Sequence, residues 1–238
     1  MPVVVNNNIS YEFNPGIEHA AYLTRNGLLS AIKKYAPLLH GRLMDLGCGS
    51  KPYQSLFNVN TYIGVDYNGE GHSHVNENID VFYDGKILPF PDASFDSVFS
   101  SEVFEHIFNL EEILKEVHRV MKPGAKILAT CPFVICEHES PNDFARYTSF
   151  ALKNIMERNG FRVLHYEKVG NHITAIMQLR IMYLHMHVLP IFRKIPFVRS
   201  ALRLGTNITL NCWALFKSAI LPKRDDLYLN NIIVCEKI

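Results

Sequence analysis

The sequence predicts an α/β fold built on a doubly wound parallel sheet. Three observations predict it. Apolar Leu43, Met44 and Leu46 form a short interior strand that runs into the glycine turn Gly47-Cys48-Gly49. A second short apolar run, Tyr62-Ile63-Gly64-Val65, ends on an acid, Asp66. Further short apolar runs then alternate with segments of helical periodicity, as in a chain that winds strands and helices in turn.

Taken in order, residues 17–38 read as helical, with Ala20, Ala21, Leu23, Leu28, Leu29, Ile32 and Tyr35 near helical spacing. Strand 43–46, the glycine turn and a short helix around Tyr53 to Phe57 follow, then strand 62–66. The polar stretch 67–79 leads to Val81-Phe82-Tyr83 and the turn Asp84-Gly85. Pro89-Phe90-Pro91-Asp92 reads as a rigid loop, and Phe95 to Ser100 as a buried strand. Asn109 reads as an N-cap, Glu111 and Glu112 suit the first helical turn, and Leu110, Ile113, Leu114, Val117, Val120 and Met121 form one apolar face that Pro123-Gly124 terminates. Ile127 to Thr130 is the next strand, Thr148 caps a helix through Arg158, and 162–168 and 229–236 are the last two strands.

The 58 residues 171–228 between those final strands are far too many for a hairpin, so they form a helical insertion, divided in two by Pro190 and Pro196. It reads either as extra core or a dimer surface, or as a lid or hydrophobic acceptor pocket that touches lipid. Arg180, His185 and His187 interrupt its first apolar run, and Arg199, Arg203, Asn207, Asn211 and Lys217 its second, so neither is expected to span a bilayer.

At 238 residues the chain can bury one full core. Its 24 basic and 23 acidic side chains leave a net charge of +1, which gives no global field for nucleic acid. Cys48, Cys131, Cys136, Cys212 and Cys235 lack metal-ligand spacing and suit reduced thiols in the cytoplasm. Met1 to Asn6 lack the basic start and apolar run of a secretory leader.

The chemistry of the glycine turn narrows the ligand. Where a dinucleotide fingerprint needs its third glycine, the run Ser50-Lys51-Pro52 places a proline, which removes one backbone N–H from a pyrophosphate site. Asp45 adds negative charge beside the turn and suits a cation, and Asp66 can accept both hydroxyl protons of a ribose. S-adenosylmethionine has a sulfonium, an ammonium and an adenosine to match. A Gly-x-Gly turn that serves only a tight strand exit is the plainer alternative.

Asp45-Leu46-Gly47-Cys48-Gly49, Gly64-Val65-Asp66, Asp84-Gly85 with Leu88-Pro89-Phe90, Ser94-Phe95-Asp96-Ser97-Val98, Glu105-His106 and Leu114 with Arg119-Val120-Met121-Lys122-Pro123-Gly124 occur in this order. Over about residues 40–170 the chain resembles the class I S-adenosylmethionine-dependent methyltransferases, in the small-molecule branch that includes ubiquinone-type enzymes. The resemblance implies a Rossmann-like seven-stranded sheet with an antiparallel last strand. It implies one domain over 1–238: a helical segment 1–40, a cofactor-binding core 41–170, the insertion 171–228 and a final strand 229–238. It also implies that Asp45, Gly47, Cys48 and Gly49 line the methionine part of the cofactor and that Asp66 holds the ribose. Tyr67 would pack on the adenine, Asp84 would meet its amino group beside Gly85, and Ser101 and Glu102 would border the methionine end. As turn residues, Asp66 and Asp84 have the plainer reading of a surface acid and a cap.

The loop 131–148 is the place for acceptor chemistry, since related enzymes carry a similar His…Pro-x-Asp-x-x-Arg pattern there. His138 is a candidate base, with Glu137 or Glu139 to orient it; the alternative is a solvated loop residue. Asp143 and Arg146 read as a loop-fixing ion pair, and His106 as a second candidate base or a structural hydrogen-bonder. Three adjacent residues Glu137-His138-Glu139 cannot easily close round one ion, so no metal is expected. The acceptor expected is a small molecule, a sugar or a lipid-linked group. A nicotinamide-dependent oxidoreductase or epimerase lacks a Tyr-x-x-x-Lys pair here, and a non-catalytic cofactor-binding protein acting through the insertion is the other rival.

Overall fold

In chain order the strands are β1 (Arg42–Leu46), β2 (Thr61–Tyr67), β3 (Val81–Tyr83), β4 (Phe95–Ser101), β5 (Met121–Pro132), β6 (Phe161–Val169) and β7 (Asn230–Lys237). The helices are α1 (Tyr22–Tyr35), α2 (Leu110–Val120), α3 (Ser149–Arg158), α4 (His172–Tyr183) and α5 (Pro196–Ile220). The computed structural model describes residues 9–69 and 77–238, so the expectation for the first six residues lies outside the described residues, as does most of the loop 67–79.

All seven strands join one sheet in the order β3-β2-β1-β4-β5-β7-β6. β1 pairs in parallel with β2 and with β4, so the winding reverses direction between them, and β2–β3 and β4–β5 are parallel too. β7 runs against β6: Leu229 N–H bonds Val169 O at one end and Ile238 N–H bonds Gly160 O at the other. This is the antiparallel last strand expected from the resemblance.

The sheet is apolar because both of its faces are covered. Leu43, Met44, Leu46, Val98, Ile127, Leu128, Ile233 and Val234 have 1% or less of their surface exposed. Leu110, Ile113, Leu114, Val117 and Val120 of α2 are buried in the same core as predicted. Two expectations about this helix need correction. Asn109 makes no side-chain cap; its amide instead donates to Gly85 O and Glu112 Oε2. Pro123-Gly124 does not stop α2 either. The strand begins at Met121, and the register slips between Phe95↔Met121 and Ser97↔Lys126, so Pro123-Gly124 sits in a bulge of β5. Thr148 does cap α3, its Oγ1 accepting from Ala151 N–H. The segment around Tyr53 to Phe57 is only one 3-10 turn, Gln54–Leu56, and α1 is shorter than 17–38.

The chain divides into two compact units. One comprises residues 31–167 and 231–238 and holds most of the sheet; the other comprises residues 10–30 and 168–230. The insertion therefore recruits part of the N-terminal segment, which nothing in the sequence pattern announces. Within this second unit α4 starts at a capping box, Asn171 accepting from Ile173 N–H and Thr174 N–H while Thr174 Oγ1 accepts from Asn171 N–H. Past Tyr183 the helix continues through wider and tighter turns to Phe192, and α5 starts afresh at Pro196. His172–Phe192, with mean hydropathy 1.2, is long and apolar enough to cross a membrane by length and composition. Arg180 is its one formal charge before Phe192.

Candidate active site

Every cofactor position expected from the sequence lies at, or just past, the carboxyl end of a strand. Strand order sets them in a row. Asp84-Gly85 follows β3, Asp66-Tyr67 closes β2, Gly47 to Gly49 follow β1, and Ser101-Glu102 close β4. The loop after β5 comes next. This is the crevice beside a reversal of winding where open α/β sheets hold ligands.

The turn after β1 is held from both sides. Gly47 N–H and Cys48 N–H both bond Val65 O, and Gly49 N–H donates to Asp66 Oδ2 at 2.8 Å. Gly47 has φ +71, and a Cβ there would lie 2.3 Å from the Val103 side chain, so only glycine fits. Asp66 Oδ1 also accepts from Tyr67 N–H, which fixes the carboxylate at the strand tip. After the turn comes only the one 3-10 turn, so no helix N-terminus is presented to a pyrophosphate.

Asp45 is buried beneath this turn, and Tyr62 Oη donates to its Oδ2 at 2.5 Å. Burial, reinforced by the nearby Asp66 charge, raises the Asp45 carboxyl to about 7. A half-ionised acid at neutral pH is a receptor for a cation, which would draw out its negative form. Cys48 is buried beside it, and burial followed by the Asp45 and Asp66 charges pushes its thiol up, so it is a packing group and not a nucleophile. Lys51 reaches under β2 to Asp80 Oδ2 at 2.6 Å, and Gly64 N–H binds the same oxygen. Burial works to raise the Asp80 carboxyl, but these two donors hold it below its ordinary value. A Cβ at Gly64 would lie 2.2 Å from Lys51 Cε, so glycine makes room for this ion pair. Sequence reading missed Tyr62, Lys51 and Asp80 as supports; they are far apart in sequence and carry no motif.

At the other end of the row the Tyr67 ring is partly exposed and lies against Gly85, where a Cβ would meet Tyr67 Cε2 at 2.8 Å. Asp84 Oδ1 accepts from Lys86 N–H and Ile87 N–H, and these two bonds lower its carboxyl. Asp84 thus caps its own turn, the plainer of its two readings. Beyond β4, Ser101 Oγ lies 2.9 Å from Thr130 Oγ1, which donates to Glu102 Oε1 at 2.8 Å. Glu102 adopts φ +58, a conformation uncommon for a side-chain-bearing residue, and its N–H bonds Thr130 O.

His106 and His138, 32 positions apart, meet edge to face with ring centroids 4.8 Å apart. His106 Nδ1 lies 2.5 Å from Asn142 O, which can only accept, so its proton is on Nδ1 and Nε2 is the basic nitrogen. His106 Nε2 faces Glu105 Oε1 at 3.6 Å and Glu139 Oε2 at 3.8 Å. His138 Nδ1 sits 3.3 Å from both Cys136 O and Asp143 Oδ2, and 3.4 Å from the donating Arg146 guanidinium. The orienting acid of His138 is therefore Asp143, a correction to Glu137, which is exposed, and to Glu139, which faces His106. Asp143 is also clasped by Arg146 in two bonds of 2.5 and 2.6 Å, the loop-fixing pair expected; these hold its carboxyl well below the usual range.

Glu105 is fully buried, and neither carboxylate oxygen has a hydrogen-bond partner among the described residues. Burial first, then the Glu102 charge, raises it well above an ordinary carboxyl. Donor atoms of Glu105, His106 and His138 lie within 4.8 Å of one another, a grouping the adjacent residues 137–139 did not reveal. The Arg146 guanidinium lies 3.4 Å from His138 Nδ1, a positive charge beside this grouping that works against a cation there.

Residues 44–129 match the family model of a methyltransferase domain. Over 165 residues, 62% of this chain and 37% of the relative, the chain is 26% identical to phosphoethanolamine N-methyltransferase 2 of Caenorhabditis elegans. It is 31% identical to the malonyl-[acyl-carrier protein] O-methyltransferase of Erwinia pyrifoliae (37% of this chain, 36% of the relative) and equally to a fatty-acid O-methyltransferase of Mycolicibacterium smegmatis with the same coverages. The matches thus span little more than a third of each of these relatives. Among solved structures, the [4+2]-cyclase SpnF superposes with TM-score 0.55 at 19% identity, covering 90% of this chain and 81% of that one. Phosphoethanolamine N-methyltransferase 2 of Haemonchus contortus, solved with S-adenosyl-L-methionine, gives TM-score 0.53 at 20% identity, covering 89% and 52%. Sheet order, the acid-flanked glycine turn and these matches agree: residues 44–129 are similar to a methyltransferase domain, on a fold shared with S-adenosylmethionine-binding structures.

Proposed function

We propose that this protein transfers a methyl group from S-adenosylmethionine to a hydroxyl of a small or lipid-linked acceptor. One observation carries the reading: the strand tips line up Asp84, Asp66, the 47–49 turn and Glu102 in order, with His106 and His138 on the segments that follow β4 and β5. When bound, S-adenosylmethionine supplies a methyl group made electrophilic by its sulfonium.

The residues present fit that cofactor. Asp45 would counter the positive charge, and its raised pKa makes ionisation conditional on a cation being there. Asp66, held by Gly49 N–H and Tyr67 N–H, would receive the ribose hydroxyls, and Tyr67 offers a face for the adenine. His106 holds a basic Nε2, and it or the adjoining His138 would accept the acceptor hydroxyl's proton as the oxygen attacks. Alignment does most of the remaining work, since proximity alone can supply about 7–11 kcal/mol.

A hydroxyl acceptor is favoured over a carbon acid or an amine because two oriented imidazoles with buried or clasped acids are machinery for removing a proton. The relatives that act on oxygen of malonyl-acyl-carrier protein and of fatty acids support an acyl-bearing acceptor. The scaffold alone does not fix the reaction, as the cyclase among its structural neighbours demonstrates.

The test is transfer of labelled methyl from S-adenosylmethionine to fractionated small-molecule and lipid extracts. Label in a base-stable ether is expected, and loss of transfer in H106A/H138A with cofactor affinity retained; label in a base-labile ester would assign the acceptor to a carboxylate and overturn the hydroxyl reading. Binding without any product would leave a non-catalytic cofactor-binding protein, and uptake of NAD in its place would leave an oxidoreductase.

A further inference from the structure

We propose that the helical unit docks on the surface of an anionic lipid bilayer through the outer faces of α4 and α5. The proposal does not depend on the reaction catalysed, and it rests on the way α5 is turned inside out and on the apolar outer side of α4.

On α5 the buried positions are Asn207, Leu210, Asn211 and Ala214, one narrow stripe at helical spacing. Its two asparagines are buried because they bond backbone: Asn207 donates to Glu18 O, and Asn211 to Ile17 O and His19 O. The large apolar side chains point the other way. Phe197 is 84% exposed, and Leu204, Ile208, Trp213, Phe216 and Ile220 are all exposed on the opposite arc. α4 buries Ala175, Met177 and Ile181 on its inner side but is apolar on its outer side as well. Gln178 is buried and donates to Ala20 O, whereas Ile176, Leu179, Tyr183 and Met186, recurring every three or four residues, face out. From Arg193 to Gly205 every residue is exposed. A water-facing helix normally shows the reverse pattern. A contiguous apolar surface of this extent marks a contact with something apolar.

Charge identifies the occupant. Between His172 and Arg224 there are eight lysines and arginines and no aspartate or glutamate, while the rest of the chain has 16 basic and 23 acidic residues. The near-zero net charge of the whole conceals a strongly cationic unit. On α5 the cations Arg199, Arg203 and Lys217 recur along one edge of the apolar arc, with Lys217 Nζ 4.8 Å over the Trp213 ring. Apolar side chains that enter the acyl boundary, with cations at the level of anionic headgroups, define an interfacial helix. The rival occupants fit less well. A nucleic acid backbone would answer the cations and leave the isoleucines and phenylalanines in water. A second copy would set cation against cation, a costly juxtaposition.

The chain has a single tryptophan, and it lies on this face, so the native protein reports its own docking. Full-length protein is mixed with vesicles of phosphatidylcholine alone or with phosphatidylglycerol, and sedimented. Binding that requires phosphatidylglycerol is expected, with Trp213 emission moving to shorter wavelength as the ring leaves water. Arg199→Gln with Arg203→Gln should weaken the partition roughly 30-fold, since each headgroup-level cation contributes about 1 kcal/mol. Phe197→Ser should weaken it roughly tenfold. All three side chains are exposed, so circular dichroism should show an unchanged fold. Binding indifferent to phosphatidylglycerol, or an emission spectrum unmoved by vesicles, overturns the proposal. So does an emission shift that follows protein concentration without vesicles, which assigns the face to a second copy, and so does tighter binding to an oligonucleotide than to vesicles.

Discussion

The carboxyl edge of the sheet and the helical unit use the same residue types for opposite purposes. Around the sheet, apolar side chains are buried on both faces, and polar groups gather at the strand tips, where most are bonded into a fixed row. In the helical unit the amides of Gln178, Asn207 and Asn211 are buried beside Met177, Ile181 and Leu210, while many large apolar side chains are exposed. Burial of an amide is tolerable there because residues 17–20 offer it backbone carbonyls as hydrogen-bond acceptors. The difference teaches that hydrophobic periodicity fixes which face is apolar without fixing which way that face looks.

The largest effect expected is in the sheet. Leu128→Ala removes a side chain with no exposed surface from the middle of β5 and should cost about 2–5 kcal/mol in a denaturant titration. A loss under 1 kcal/mol would mean the core relaxes around the cavity, and the contrast between the two regions would weaken.

Asp45→Asn comes next and changes sign with the property measured. The carboxyl titrates near 3.8 when unfolded and about 7 when folded. Between those values the folded state holds the extra proton, so stability falls as pH rises through that window. Above it the burial of a charge costs at most ~4 kcal/mol, from the shift of the carboxyl. Asparagine keeps the shape without the charge. It should therefore raise the melting temperature at pH 8, leave it nearly unchanged below pH 4, and weaken S-adenosylmethionine binding. In the wild type, calorimetry should show cofactor affinity rising with pH up to about 7, a dependence the variant lacks. A melting temperature equally altered at both pH values would show that Asp45 acts through packing and not through its charge.

The fold and the cofactor row were legible in the sequence because both are written in neighbouring residues: an apolar run, then the glycines or the acid at its end. Several signature residues turn out to be scaffold. Asp96 ties Arg42 N–H to Lys122, and Arg119 bonds Leu88 O and Phe90 O, fixing the proline-bearing loop. The base pair was only half legible. His106 and His138 were both singled out, but their meeting depends on the loop 131–148 folding back so that Phe144 N–H reaches Glu105 O. The orienting acid was misassigned for the same reason: Glu137 is adjacent to His138 in sequence, whereas Asp143 is adjacent in space. Nothing local announced that residues 10–30 belong with the insertion. That pairing rests on side-chain amides meeting carbonyls more than 150 positions away.

Within the helical unit the inversion of α5 makes a paired forecast, polar loss against apolar loss. Asn211→Leu adds apolar surface to a buried site yet removes the side-chain donor from Ile17 O and one of two donors from His19 O, and should cost about 1–3 kcal/mol by thermal or denaturant unfolding.

The smallest effect is the most discriminating. Phe197→Ser deletes a large apolar side chain, which in a core would cost several kcal/mol, but here the ring is 84% exposed and leaves no cavity. Stability in solution should change by less than about 0.5 kcal/mol. Because serine also removes apolar surface from water, the variant should aggregate less on heating. A loss as large as that of Leu128→Ala would mean the ring is packed in the dissolved protein. The outer face of α5 would then be covered before any bilayer is met, and the two regions would no longer differ in the way their burial patterns say they do.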